Sequence, residues 1–258
     1  MPILCYNFMP WSFRVGRTSY SVDIRGGAVS SEWRHKDFDD SIRYDEGETS
    51  HEVMWANLKY FLEAVVPVAE RCGVYLAMHP DDPPIPRVRG LARIMTSPDA
   101  FERMLSLVDS PHNGITFCQG CFSEMGVNIP STIRRLGHRV HFVHFRDVIG
   151  GADDFVETFQ DEGQTDMHAA LQAWKDVGFN GIIRPDHVPL LPGIEQGHDV
   201  GFKAAGYFSG RASGYTMMGR LFAVGYMRGL MDAVFGRDTS SVKAVSLSTL
   251  GGSLADQN

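Results

Sequence analysis

The chain has 258 residues, 43% of them hydrophobic and 21% charged, a balance that suits one folded domain with a sizeable core. Its formal charge of −7 argues against nucleic acid or an anionic membrane as a principal partner, because both recruit basic patches. No apolar run approaches the roughly 20 residues of a membrane span. No basic segment followed by a long apolar one opens the chain, so a cytoplasmic location is expected.

Short apolar runs recur along the sequence, each ending on polar residues and followed by an amphipathic segment, which is the pattern of repeated βα units. The first run is Ile3 to Phe8 (ILCYNF). Residues 11–50 are polar, rich in Arg, Asp, Glu and Ser, and read as an irregular surface excursion. His51 to Arg71 carries apolar residues at helical spacing, with Pro67 predicting a kink or a restart. Val74 to Met78 (VYLAM) is the second strand, and Ser97 followed by Pro98 introduces a helix over Asp99 to Val108. Ile115 to Cys118 (ITFC), Val140 to Phe145 (VHFVHF) and Gly181 to Arg184 (GIIR) bring the strands to five.

Thr165 and Asp166 introduce a further helix, Met167 to Val177, which stops at Gly178. A long helix is predicted from Tyr215 to Val234, where Gly219, Gly225 and Gly229 suit close packing against a sheet. Residues 1–238 are therefore expected to form one barrel-like catalytic domain, with 239–258 a flexible tail.

Strands alternating with helices argue for a parallel sheet, either doubly wound or closed into a barrel. No glycine-rich phosphate loop follows a strand, so nucleotide binding has little support. Four cysteines, Cys5, Cys72, Cys118 and Cys121, are too few and too irregular for a disulfide framework. Cys118 and Cys121 form a C-x-x-C, but no second such pair follows and the motif ends a strand instead of opening a helix. Both features disfavour a redox dithiol or half a zinc knuckle.

Four of the five strands end on a residue able to bind a metal: His79, Cys118, His144 and Asp186. In a (β/α)₈ barrel the C-terminal strand ends converge on one face, so these residues would meet in one pocket. They could surround one divalent transition metal there, although a lone His or Cys at a strand end is more often simply packed and hydrogen-bonded. Mixed thiolate, imidazole and carboxylate donors disfavour Mg²⁺ and Ca²⁺ and allow Mn²⁺, Fe²⁺, Co²⁺, Ni²⁺ or Zn²⁺. Arg146 and Arg184 lie two residues from His144 and Asp186, and read equally as rim ion pairs or as substrate contacts. His141 has the opposite strand parity to His144 and reads as packed. Asp81 and Asp82, in the HPDDPP turn, either orient His79 or stabilise the turn.

The strings CYNFMP (5–10), YLAMHPDDPP (75–84), NGITFCQG (113–120), HFVHFRD (141–147), RPDHVP (184–189) and GYTMMGRLFAVGYMRGL (214–230) together resemble the mannonate dehydratase family. The match runs from Cys5 to about Val234, leaving out 11–50 and the tail. That resemblance implies a (β/α)₈ barrel of the sugar-isomerase-like type with bound Mn²⁺ or Fe²⁺. It also implies dehydration of D-mannonate to 2-dehydro-3-deoxy-D-gluconate in hexuronate breakdown. By motif, His79, Cys118, His144 and Asp186 match the metal ligands, and His187 and Tyr215 match the proton-transfer residues.

The family's chains carry three further strands before the one that begins here at Ile3, so an incomplete barrel with five of eight strands is expected. Its two open edges would favour pairing with a second copy. Two alternatives stay open: a metal-dependent sugar-acid isomerase or epimerase, and an inactive remnant acting as an interaction protein.

Overall fold

The computed structural model describes residues 2–10, 16–45, 47–191 and 214–236. The expected tail at 239–258 lies outside them. Five parallel strands form the main sheet: β1 (Ile3–Tyr6), β4 (Tyr75–Met78), β7 (Asn113–Cys118), β8 (Val140–Phe145) and β11 (Ile182–Pro185), side by side in that order. The spatial order follows the chain order without reversal. Every crossover therefore steps the same way and lays its helix on the same face, as in a barrel. A doubly wound sheet would reverse direction at a switch point. The architecture is an incomplete barrel of the (β/α)₈ type.

The helices form where their punctuation predicts. Helix α1 (His51–Cys72) starts at Ser50, whose side chain accepts the Val53 N–H, and ends at Gly73 in a left-handed conformation with φ 65°. Met54, Leu58, Leu62, Val66 and Ala69 recur every three or four residues and bury one face. The predicted kink at Pro67 does not break the helix: Glu63 and Pro67 are both exposed, so the carbonyl that loses its donor faces water.

Helix α2 (Pro98–Leu107) is capped by Ser97, α5 (Met167–Asp176) by Asp166 and α6 (Met217–Phe235) by Thr216. Between β7 and β8 lie α3 (Gln119–Glu124) and α4 (Ile129–Leu136), neither read from the sequence. β7 is buried along its whole length, as befits a strand covered on both faces. The core between sheet and helices is led by Phe101, Phe117, Phe122, Phe145 and Trp174. At the sheet's edges Leu4 on β1 and Ile182 on β11 remain half exposed.

The segment 11–50 holds more structure than a surface excursion. β2 (Ser19–Asp23) and β3 (Val29–Arg34) join β9 (Val148–Gly151) and β10 (Asp154–Glu157) in a four-stranded antiparallel sheet ordered β2-β3-β10-β9. Its apolar side, Trp33, Val148 and Phe155, packs on Ile85 and on Val88 of the short ribbon of β5 (Arg87–Val88) and β6 (Leu91–Ala92), forming a second small core. Trp33 is fully buried. Polar composition hid these strands: Ser31 and Glu157, which reach the site, alternate with Trp33 and Phe155 along the same face and break its apolar pattern.

Candidate metal centre

Parallel pairing brings the strand ends into line. Cys118 at the end of β7 is in register with His144 near the end of β8, which is in register with Arg184 on β11. His79 directly follows β4, its backbone N–H donating to the Tyr6 carbonyl at 2.8 Å, and Asp186 directly follows β11. One donor atom from each of His79, Cys118, His144 and Asp186 lies within 4.8 Å of all the others. The tightest pairs are His79 Nε2 to His144 Nδ1 at 3.2 Å and His144 Nδ1 to Asp186 Oδ2 at 3.5 Å.

Metal–ligand bonds of roughly 2.0–2.3 Å place neighbouring donors about 3–3.8 Å apart, so this group has the span of a single-ion site. His79 Nδ1 donates to the Pro80 carbonyl at 2.7 Å, which leaves the Nε2 lone pair aimed at the group. That backbone bond is the usual way a ligating imidazole is oriented. Burial pushes the Cys118 thiol up, but hydrogen bonds with Cys121, His144 and His79 and the Arg146 charge outweigh it and hold the thiol well below its ordinary range. Burial also raises the Asp186 carboxyl, yet His187 and His144 bring it below the usual value. The donor set, two imidazoles with a thiolate and a carboxylate, fits a divalent transition metal.

His141 lies at the other end of β8, its ring 4.8 Å from that of Tyr75, away from the group. Asp81 and Asp82 make no hydrogen bond to His79. Asp81 accepts from Arg93 Nε at 3.0 Å and from the Met95 N–H at 2.8 Å, holding the turn, while Asp82 faces Arg17 and Arg146. The C-x-x-C does open a helix, because β7 passes straight into α3 with Cys118 as its N-cap. Both thiols are buried and reduced, and burial with the neighbouring Cys118 pushes Cys121 well up.

Arg146 is 1% exposed and its donors are committed to protein acceptors: Nε to Cys118 at 3.4 Å, Nη1 to Glu157 at 2.8 Å, and Nη2 to Asp82 at 2.8 Å, Glu124 at 3.0 Å and Cys121 at 3.2 Å. Of its two readings, this geometry favours the ion pair. Two further groups of acidic and soft donors, Asp82-Cys121-Glu124 and Asp82-Glu157-His187, are close enough for a cation. In both, the Arg146 guanidinium already takes that place. Arg184 differs: its side chain is 41% exposed and donates to Asp186 at 2.7 Å from the pocket wall.

His187 and Tyr215 stand together beside Asp186. Their rings meet edge to face at 5.3 Å, the Tyr215 hydroxyl donates to Asp186 Oδ1 at 3.3 Å, and His187 Nε2 is 3.8 Å from Asp186 Oδ2. A parallel bridge between Val188 and Tyr215, with the Val188 N–H donating to the Gly214 carbonyl at 2.8 Å, brings the start of α6 to the end of β11. Burial and the adjacent Asp186 carboxylate keep the Tyr215 phenol protonated, its pKa well above the ordinary value.

Residues missed in the sequence complete the surroundings. Glu157 on β10 accepts from His187 Nδ1 at 2.5 Å, and Arg17 donates to both Asp82 and Glu157. Nothing in a run of polar residues before an unread strand marks them.

The model of the D-mannonate dehydratase (UxuA) family matches residues 42–240. The chain belongs to this family. A mannonate dehydratase of Thermotoga maritima is 35% identical over 269 residues, covering 90% of this chain and 70% of that protein. One from Streptococcus suis is 33% identical over 261 residues, covering 90% of this chain and 67% of its own length. The crystal structure of mannonate dehydratase from S. suis serotype 2 superposes with a TM-score of 0.79 at 31% identity, over 95% of this chain and 71% of that one. A xylose isomerase domain protein from Planctomyces limnophilus, at 14% identity and a TM-score of 0.50, shares the fold. No described helix is long and apolar enough to cross a membrane.

Proposed function

We propose that this chain is a metal-dependent hydro-lyase that converts D-mannonate to 2-dehydro-3-deoxy-D-gluconate, with Mn²⁺ or Fe²⁺ held by His79, Cys118, His144 and Asp186. The observation that carries the reading is the meeting of four donors from four separate strand ends beside His187 and Tyr215. A bound divalent cation would supply Lewis-acid stabilisation of the negative charge that builds on the substrate carboxylate as the neighbouring carbon loses its proton.

The chain's own residues supply the rest. The reaction removes the proton from C2 and the hydroxyl from C3 as water, so one group must accept a proton and another must donate one. His187 offers Nε2 on the pocket side because its Nδ1 is taken by Glu157. Tyr215, held protonated, offers a hydroxyl proton from the same side of Asp186. Arg184, the exposed arginine of the wall, suits the substrate carboxylate.

Purified chain supplied with Mn²⁺ or Fe²⁺ and D-mannonate is expected to yield a 2-keto-3-deoxy acid, read by mass spectrometry as loss of one water. His187→Asn and Tyr215→Phe should abolish product while keeping the metal. Product of unchanged mass would instead assign an isomerase or epimerase. No turnover by metal-loaded protein would remove the dehydratase reading.

A further inference from the structure

The buried carboxylate of Glu157 lies within hydrogen-bond distance of four side chains. Its side chain is 5% exposed. Oε1 lies 2.5 Å from His187 Nδ1 and accepts from Arg17 Nη2 at 2.5 Å and from Arg146 Nη1 at 2.8 Å, while Oε2 accepts from the Ser31 hydroxyl at 3.0 Å. With donors on both oxygens, the carboxylate has one orientation. Three residues further on, Gln160 Nε2 donates to the His187 carbonyl at 2.9 Å, so the segment that carries Glu157 also holds the His187 main chain.

We propose that Glu157 is a positioning residue for His187: it fixes the ring so that Nδ1 carries the hydrogen and Nε2 faces the pocket beside Asp186. The proposal rests on the assignment of His187 to proton transfer. A neutral imidazole can carry its hydrogen on either nitrogen, and only one arrangement leaves Nε2 free to accept a proton. Glu157 selects that arrangement by accepting from the other nitrogen, the role a buried carboxylate plays beside a catalytic histidine in other hydrolytic and metal-dependent sites.

The carboxylate is held from two directions. Arg146 comes from the loop after β8, within the residues the family model matches. Arg17 and Ser31 come from the β2–β3 segment, ahead of residue 42 where that match begins. The antiparallel sheet thus reaches the chemistry through one hydrogen-bonded chain: Arg17 and Ser31 hold Glu157, and Glu157 holds His187. A purely structural Glu157 would neutralise Arg17 and Arg146 and leave the histidine's hydrogen position to chance.

Two measurements on the full chain test this. Long-range ¹⁵N–¹H spectra of histidine-labelled, metal-free protein, taken where His187 is neutral, should show its hydrogen on Nδ1 and slow to exchange. Glu157→Ala should lose that signal. In metal-loaded enzyme, Glu157→Ala should lower kcat about 100-fold with KM within about threefold and metal content unchanged, and Glu157→Gln, which keeps an acceptor, should lose only about tenfold. A wild-type His187 bearing its hydrogen on Nε2 overturns the proposal even if Glu157→Ala fails to fold. So does a Glu157→Ala or Glu157→Gln enzyme that loses stability but keeps wild-type kcat. Absence of any dehydratase activity in the wild type would sink the proposed reaction, while the labelled spectra would still decide the position of the His187 hydrogen.

Discussion

Replacing Asp81 with alanine is expected to destabilise the fold by about 3–5 kcal/mol, more than its place in a turn suggests. The Asp81 and Arg93 side chains are each 1% exposed, with Arg93 Nε 3.0 Å from Oδ1. Oδ2 accepts the Met95 N–H at 2.8 Å, and Arg93 Nη2 donates to the Asp82 carbonyl at 3.0 Å. Removing the carboxylate leaves a buried guanidinium facing a neutral carbonyl and a buried N–H without its acceptor. At the effective dielectric that suits such sites, a close pair is worth about 4 kcal/mol, and a lost buried hydrogen bond adds about 1–3 kcal/mol, partly overlapping.

That is a large fraction of the roughly 5–15 kcal/mol that holds an ordinary domain together. Urea unfolding followed by the fluorescence of buried Trp33 and Trp174 measures it. The double variant Asp81→Ala/Arg93→Met removes both charges and should recover part of the loss, since an uncompensated buried ion costs more than an absent pair. A single variant within about 1 kcal/mol of wild type, or a double variant less stable than the single, would refute the reasoning.

Three other outcomes follow from the geometry. Cys118→Ser should reduce bound Mn²⁺ or Fe²⁺, measured by elemental analysis after dialysis, with an unchanged circular dichroism spectrum; full metal content would remove Cys118 from the ligand set. Trp33→Ala should cost about 3–5 kcal/mol, because the fully buried indole is the centre of the small second core; a loss below about 1 kcal/mol would show that the antiparallel sheet does not depend on that core.

Burial raises the Asp82 carboxyl, but Arg17 and Arg146 outweigh it and push it down to about 2. A depressed carboxylate contributes stability that is present above its unfolded value and is lost as pH falls through the folded one. Wild type should therefore lose about 2 kcal/mol more than Asp82→Asn between about pH 4 and pH 2. Parallel stability curves for the two proteins would exclude the Arg17–Asp82–Arg146 contact as their source.

What could be read from the sequence was whatever depends on local pattern. The five parallel strands were legible because buried strands are short unbroken apolar runs, and the helices because Ser97, Asp166 and their like mark the starts. The four metal-binding candidates were legible for a geometric reason: strand ends converge in a barrel, so position within the strand substitutes for distance. The antiparallel strands were not, because Ser19–Asp23 and Val29–Arg34 are polar in composition, and Ser31 finds its buried partner Glu157 more than a hundred residues away. Nor was α4, whose start at Asn128 with Pro130 in the first turn gives a usable signal before only two turns of helix.

The same long-range pairing explains why only one of the three donor groups suits an added ion. Around the strand ends the fold gathers Asp82, Glu124, Glu157, Asp186 and two cysteines, far more anionic capacity than one divalent cation can balance. Arg146 sits among most of these groups, and Arg17 brings a second guanidinium against Asp82 and Glu157. Burial and the neighbouring Asp82 charge push the Glu124 carboxyl well up. The His79, Cys118, His144 and Asp186 group meets Arg146 only through Nε, 3.4 Å from Cys118 Sγ and 3.6 Å from Asp186 Oδ2, and its two acidic donors suit one divalent ion. By occupying the alternative cation positions, the arginines would leave a metal the face where His187 and Tyr215 stand.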